Sequence, residues 1–184
     1  PKASGSALAY RGAAEEAVRV VGADASRLRR IVDIPANLVD GQYRLGGDEI
    51  VVGTSLADKL GADVGDSIRL RSGDRESVLR IVGIFDIGSE AINGRWVVTS
   101  LRNAQTLLSR VGDITEIDAR VADVFDAERI AREVEARTGV PTESWMERNR
   151  DLLTGLRSQD ASTTMIRIFV LLAVAMGIAS VLSV

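Results

Sequence analysis

The stretch with the most evident chemical potential is Arg44-Leu45-Gly46-Gly47-Asp48-Glu49-Ile50. A glycine pair lets backbone approach a nucleotide phosphate, and adjacent carboxylates suit Mg²⁺. A second glycine-bearing stretch, Gly61-Ala62-Asp63-Val64-Gly65-Asp66-Ser67, lacks the Lys by which a P-loop reaches its phosphates. G-x-G-x-x-G and H-E-x-x-H do not occur. The acidic pairs Asp48/Glu49 and Glu15/Glu16 are sequence neighbours and read as solvated surface, not as a converging acid–base pair. The 184 residues contain no Cys and no His. That excludes disulfides, thiol nucleophiles, Ser-His-Asp triads and the commoner catalytic zinc sites. Net charge is −3, from 23 basic and 26 acidic groups, which argues against a nucleic-acid partner, since that would want a basic face. Two Trp, two Tyr and three Phe are too few and too scattered for a base-stacking platform. No catalytic, cofactor-binding or metal-ligating residue is assigned, and the chain is read as a non-enzyme.

Over those seven residues, Arg44–Ile50 resembles the GGDEF signature of diguanylate cyclases. A cyclase also needs an upstream acidic metal ligand on a strand and a Phe-containing stretch that reads the nucleotide. Residues 1–43 contain no Phe. The segment is therefore read as a glycine-pair turn opening a strand.

The strongest signal lies at the other end. Residues 165–184 carry one charge, Arg167, and no Pro. Twenty helical residues span about 30 Å, the thickness of a bilayer hydrocarbon core. Arg167 sits near one end, where its long side chain can reach the interface. Of the 23 basic groups only Arg167 lies beyond residue 160, and no acid does, so a net-acidic polar domain leads into an apolar run. The sequence starts at Pro1 and stops within or at the end of the expected span, and is read as a piece of a longer membrane protein.

Periodicity fills in the rest. A strand is expected over 17–21, then a short helix capped by Asp24 with Leu28, Ile31 and Val32 on one face, ended by Pro35. Thr54 or Ser55 is expected to cap a helix from Leu56 to Leu60, stopped by Gly61. Strands are expected over Ser67–Arg71 and Ser77–Phe85, joined by a tight turn at Ser72–Glu76. Asn93-Gly94 carries a type I′ hairpin signal before Trp96-Val97-Val98. Ser100 caps a helix bearing Leu101, Ala104, Leu107, Leu108 and Val111. Residues 114–121 alternate as a strand. Asp126 is expected to cap a helix with Ala127, Ile130, Ala131 and Val134 buried, and with Glu128–Arg132 and Glu133–Arg137 as i,i+4 pairs. Ser144-Trp145-Met146-Glu147 forms a capping box. The fold class is α+β. Residues 1–45 and 100–144 are read as one subdomain and 46–99 as a β-rich insert. A stalk helix over 145–164 continues into a transmembrane helix over 165–184. Trp145, Leu152, Leu156, Arg167 and Phe169 are the candidate stalk and membrane residues.

Several stretches together resemble the FtsX-like ABC-transporter permeases. Within that family they resemble the MacB-like extracytoplasmic core domain and its LolC/LolE lipoprotein-releasing branch. They are Gly53–Gly61, Val64–Leu70, Ile81-Val82-Gly83-Ile84-Phe85, Val97–Leu108 and Trp145-Met146-Glu147-Arg148-Asn149 followed by Leu152-Leu153. The resemblance implies a large loop outside the cytoplasmic (inner) membrane, with a βαβ-type Porter-like subdomain and a Sabre-like insert. It implies a separate cytoplasmic ATPase, a second permease subunit (identical or not), contact with membrane lipid, and export or release of a lipoprotein or amphiphile. The hairpin at Ser72–Glu76 is too tight for the hook by which one member of that branch recruits a carrier protein. A competing reading is the extracytoplasmic sensor domain of a membrane-bound receptor.

Overall fold

Alternating small apolar and polar residues build the first hairpin. The computed structural model describes residues 1–149, 165–171 and 176. In β1 (Lys2–Arg11) Ala3, Ala7 and Ala9 are buried while Ser4, Ser6, Leu8 and Tyr10 look the other way. In β2 (Ala14–Ala23) Val18 and Val20 are buried between exposed Glu15, Ala17 and Arg19. The two strands pair antiparallel along their full length, from Lys2↔Ala23 to Arg11↔Ala14.

The Asp24 carboxylate accepts from the backbone N–H groups of Ser26 and Arg27, as a helix cap should. The helix it starts, α1 (Ala25–Leu28), is shorter than expected. Beyond it the chain continues in tight turns towards Pro35, which leaves Ile31 38% exposed. β3 (Leu38–Gly41) and β4 (Glu49–Gly53) follow. Helix α2 (Thr54–Leu60) buries Leu56, Ala57 and Leu60 and ends on Gly61 at φ +57, the left-handed conformation a helix stop demands. Its N-cap is Gly53, and neither Thr54 nor Ser55 caps it; the Ser55 hydroxyl donates instead to Glu90 at 2.6 Å.

β5 (Ser67–Ser72) and β6 (Arg75–Phe85) form the expected tight hairpin. Asn93-Gly94 does not make a hairpin turn. It closes a four-residue helix, α3 (Glu90–Asn93), with Gly94 at φ −86. The Asn93 amide is buried, taking the Ile87 N–H at 3.1 Å and donating to Asp86 at 2.5 Å, so it ties a loop that local pattern cannot reveal. β7 (Trp96–Ser100) leads into α4 (Leu101–Leu107), where the Ser100 hydroxyl accepts from Asn103 N–H at 3.2 Å. The helix stops before Val111, which is 78% exposed.

The sheet order is β3-β6-β4-β7-β2-β1-β5, and β5 also pairs with β6. Six strands (β1, β2, β7, β4, β6, β5) thus close into a ring, with β3 paired to β6 outside it. β2–β7 and β4–β6 are parallel. Between Ile50 and Val51 the β4–β6 register shifts by one residue, a bulge of the kind that bends a strand. One apolar cluster draws on all six ring strands and on Leu56, Leu60, Ala104 and Leu107 of the two helices. A second, on the other face of β4 and β7, gathers Val51, Val98, Phe85, Leu28 and Ile34. Strands buried on both faces explain the unbroken runs Ile50-Val51-Val52 and Val97-Val98.

Strands from 46–99 pair into the same sheet as β1 and β2. One expectation is corrected. The alternation at 114–121 makes one bridge, Lys2↔Glu116, and no strand; Ile117 is 77% exposed and Ala119 is exposed as well.

The chain divides into two compact units, 1–120 and 121–184. In the second, α5 (Ala127–Thr138) buries Ala127 and Ala131, while Val134 of the expected stripe is 40% exposed. Glu133–Arg137 and Glu128–Arg132 pair at 2.7 and 3.8 Å. Asp126 makes no capping bond and pairs with Arg129 at 3.0 Å. A four-residue helix, α6 (Trp145–Arg148), follows.

Gly22 is where β2 meets α4. A Cβ there would lie 2.1 Å from the Ala104 Cβ and 3.0 Å from the Ser100 carbonyl oxygen. Gly22→Ala is expected to lower stability by about 1–3 kcal/mol in urea denaturation, and adding Ala104→Gly is expected to recover part of the loss.

Candidate functional site

The Gly46-Gly47 turn is held in place by ordinary structural bonds. The Asn103 side-chain amide donates to the Gly47 carbonyl, and the Arg80 N–H donates to the Asp48 carbonyl at 2.8 Å. Arg44 Nε donates to Glu49 at 2.9 Å, and Arg80 approaches the same carboxylate at 3.6 Å. The hydrogen bond from Arg44 holds the Glu49 carboxyl below the usual carboxylate range. A shallow cavity of about 540 Å³ opens over Arg44, Glu49, Ser67 and Arg80. Its only well-covered carboxylate is already neutralised by two guanidinium groups. Among the described residues no group of three or more carboxylates converges in a way that could hold a metal ion.

A denser polar cluster joins the start of β1 to residues 115–118. Two backbone bonds begin it: Lys2 N–H donates to the Glu116 carbonyl at 2.9 Å, and Thr115 N–H to the Lys2 carbonyl at 3.1 Å. Ser4 N–H donates to the Thr115 hydroxyl at 2.8 Å. Lys2 Nζ then reaches Glu116 at 2.9 Å and Asp118 at 2.8 Å. The other Glu116 oxygen accepts from the Ser4 hydroxyl at 2.6 Å and from Arg19 at 2.5 Å. The Lys2 side chain is 13% exposed. Burial pushes the Glu116 carboxyl up, but the hydrogen bonds from Ser4 and Lys2 and the fields of Lys2 and Arg19 outweigh it, leaving the pKa at about 2. This clamp was not foreseen from the sequence. Its partners lie 97 or more positions apart, and the one local signal, the alternation at 114–121, pointed to a strand.

The expected stalk and membrane residues fall differently. The Ser144 hydroxyl accepts from Glu147 N–H at 3.1 Å, which opens α6 as a capping residue should. Trp145 Nε1 donates to the Val124 carbonyl at 3.0 Å, and Arg148 pairs with Glu143 at 3.0 Å. Leu152 and Leu156 lie outside the described residues, as does most of the expected helix over 145–164. Residues 165–171 are helical and exposed throughout, including Arg167, with Phe169 63% exposed. Among the described residues no helix is long and apolar enough to cross a membrane. The expected span over 165–184 lies largely outside them. No described contact joins Arg167 or Phe169 to Trp145.

Comparison with known proteins adds three findings. The family model described as MacB-like periplasmic core domain matches residues 1–137. The lipoprotein-releasing system transmembrane protein LolC of Xylella fastidiosa (strain 9a5c) is 25% identical over 153 residues, or 77% of this chain. The chain spans 35% of that relative's length. Among solved structures, the extracellular domain of the noncanonic ABC-type transporter YknZ from Gram-positive bacteria aligns with a TM-score of 0.53. That alignment is at 13% identity and covers 78% of this chain and 75% of the other, a likeness of fold alone.

The clamp has a pH signature. A carboxyl held at about 2 when folded binds its proton more readily once unfolded, where its pKa is near 4.5. Its stabilisation is therefore complete above that ordinary value and is lost as pH falls from about 4.5 to about 2. Glu116→Gln is expected to cost about 1–2 kcal/mol at pH 7. The gap from wild type in urea denaturation should close as pH approaches 2. A gap that persists unchanged at low pH would show that the carboxylate charge contributes nothing.

Proposed function

The chain belongs to the MacB-like periplasmic core domain family, and on that premise we propose that it is the extracytoplasmic part of an ABC-transporter permease. In this reading residues 1–120 form a non-catalytic head outside the inner membrane. Residues 145–164 form a stalk, and residues 165–184 cross the bilayer. A separate cytoplasmic ATPase supplies the energy, and a second permease subunit completes the assembly. The cargo is a lipoprotein or another amphiphile, drawn from the outer leaflet.

The observation that carries the membrane placement is the helix over 165–171. Met165, Ile166, Ile168, Phe169, Val170 and Leu171 are each between 55% and 69% exposed. A helix apolar on all sides is stable when lipid or protein covers it, and this one has no cover among the described residues. Arg167, the single charge, suits an interfacial position. Trp145 also fits this scheme, because its indole N–H fastens the start of α6 to Val124.

The clamp supports a mechanical role. It fastens the first residues of the described chain to the segment that leads out of the 1–120 unit. A displacement applied at either end is then shared by the ring of strands instead of peeling β1 away. The 25% identical relative is named for lipoprotein release, which is the basis for proposing that class of cargo.

The test is to break the stalk. In the proposed stalk helix Leu156→Pro would remove a hydrogen bond, at a cost of about 3 kcal/mol. In proteoliposomes holding the full-length permease and its ATPase, the variant is expected to hydrolyse ATP at near the wild-type rate. Release of a labelled lipoprotein should fall at least tenfold. Unchanged release would overturn the rigid-stalk reading.

A further inference from the structure

The outer face of β7, β2, β1 and β5 holds a groove of about 790 Å³ that no role described above uses. Its position follows from strand register. Ser6 lies opposite Arg19, Arg19 opposite Trp96, and Leu8 opposite both Ala17 and Arg71. Alternate residues on a strand share a face, so Ser6, Leu8, Ala17, Arg19, Arg71 and Trp96 line one surface. Arg95 stands at its rim, beside Trp96.

Charge is the unusual feature. Three arginines line the groove and no carboxylate does, in a chain whose net charge is −3. Arg19 pairs with Glu116 of the clamp. Arg71 lies over the Tyr10 ring, 5.1 Å from its centroid, and donates to the Tyr10 hydroxyl at 2.5 Å. Among the described residues neither Arg71 nor Arg95 has a carboxylate partner. The Tyr10 contacts also hold the Arg71 guanidinium in one orientation. A floor of Leu8, Ala17 and Trp96 adds apolar surface beneath the charges. Guanidinium groups recognise phosphate through paired N–H donors, while aliphatic and indole surface takes hydrocarbon.

We propose that this groove binds an anionic, phosphate-bearing amphiphile, its phosphate held by Arg71 and Arg95 and the start of its hydrocarbon lying over Leu8 and Trp96. The nearest source is the headgroup region of anionic lipid, a point that rests on the permease reading. Binding itself requires neither ATPase nor export, so the two proposals fail separately.

The 184-residue chain in dodecyl maltoside is titrated with dihexanoyl phosphatidylglycerol while tryptophan fluorescence is followed. A saturable change is expected, and Trp96→Phe should abolish it. Dihexanoyl phosphatidylcholine, which has no net charge, and inorganic phosphate, which has no hydrocarbon, should each bind at least tenfold more weakly. Arg71→Gln/Arg95→Gln should weaken phosphatidylglycerol binding at least tenfold. Should the double variant fail to fold, Arg95→Gln alone is decisive, because no described carboxylate depends on it; a loss of at least threefold is expected. Equal affinity for the zwitterionic lipid, equal affinity for inorganic phosphate, or indifference to Arg95→Gln would each overturn the proposal. So would binding of a polyglutamate peptide without binding of the lipid, which would make the groove a docking place for an acidic chain segment.

Discussion

β6 pairs with β5 through Arg75–Arg80 and with β4 through Arg80–Phe85, and this sharing of one strand between two partners closes the sheet. Eleven residues at about 3.3 Å each give a strand of roughly 36 Å, long enough to serve both. The register shift at Val82 falls within the stretch that pairs with β4, two residues beyond the last β5 pair. Closure removes the exposed edges that β5 and β4 would otherwise present. It also gives the inner cluster walls on every side, so small residues such as Ala3, Ala7 and Ala9 suffice on β1. Helices α2 and α4 contribute Leu56, Leu60, Ala104 and Leu107 to the same cluster. The close approach of Gly22 to Ala104 shows how tightly α4 seats against β2.

A closed ring of strands resists deformation, but it still has to be gripped. Isolated surface ion pairs contribute about 0–1 kcal/mol each, and most pairs in this chain are of that kind. The clamp differs in being a chain of alternating charge, Arg19⁺–Glu116⁻–Lys2⁺–Asp118⁻, laid over backbone hydrogen bonds. Its central lysine is largely covered, so that charge is screened less than a solvated one. Such a joint ties the start of β1 to residues 115–118 through ion pairs and backbone bonds together.

The sequence exposed some parts of this design and concealed others for physical reasons. Elements governed by local rules were legible. Gly61 stops α2, Ser100 caps α4, Ser144 caps α6, and the Ser72–Glu76 hairpin closes tightly, each through contacts within a few residues. Elements governed by distant contacts were not. Asn93-Gly94 carries a strong hairpin signal, but Asp86 and Ile87 claim the Asn93 amide and turn the segment into a helix end. Glu116 and Asp118 alternate with apolar neighbours, yet they serve Lys2 and not a strand partner. The β-rich middle was recognisable as β-rich, while its sharing of one sheet with β1 and β2 depends on parallel pairing that periodicity does not encode. The glycine-pair turn at Gly46-Gly47 was readable as a turn because too little of a nucleotide site surrounds it.

Arg19 belongs to both the clamp and the groove, and this overlap has a thermodynamic consequence. Its guanidinium donates to Glu116 at 2.5 Å and to the Ser4 hydroxyl at 3.1 Å, while the same side chain lines the groove floor. An anion seated beside it would add negative charge near Glu116, a carboxylate kept ionised in part by the field of Arg19. Like charges at short range raise one another's pKa values and weaken the bonds that depend on ionisation. Occupancy of the groove would therefore loosen the clamp. By linkage, a clamp already strained open would release Arg19 and favour the anion by the same free energy. A displacement of residues 115–118 and a ligand in the groove would then be two ways of biasing one joint.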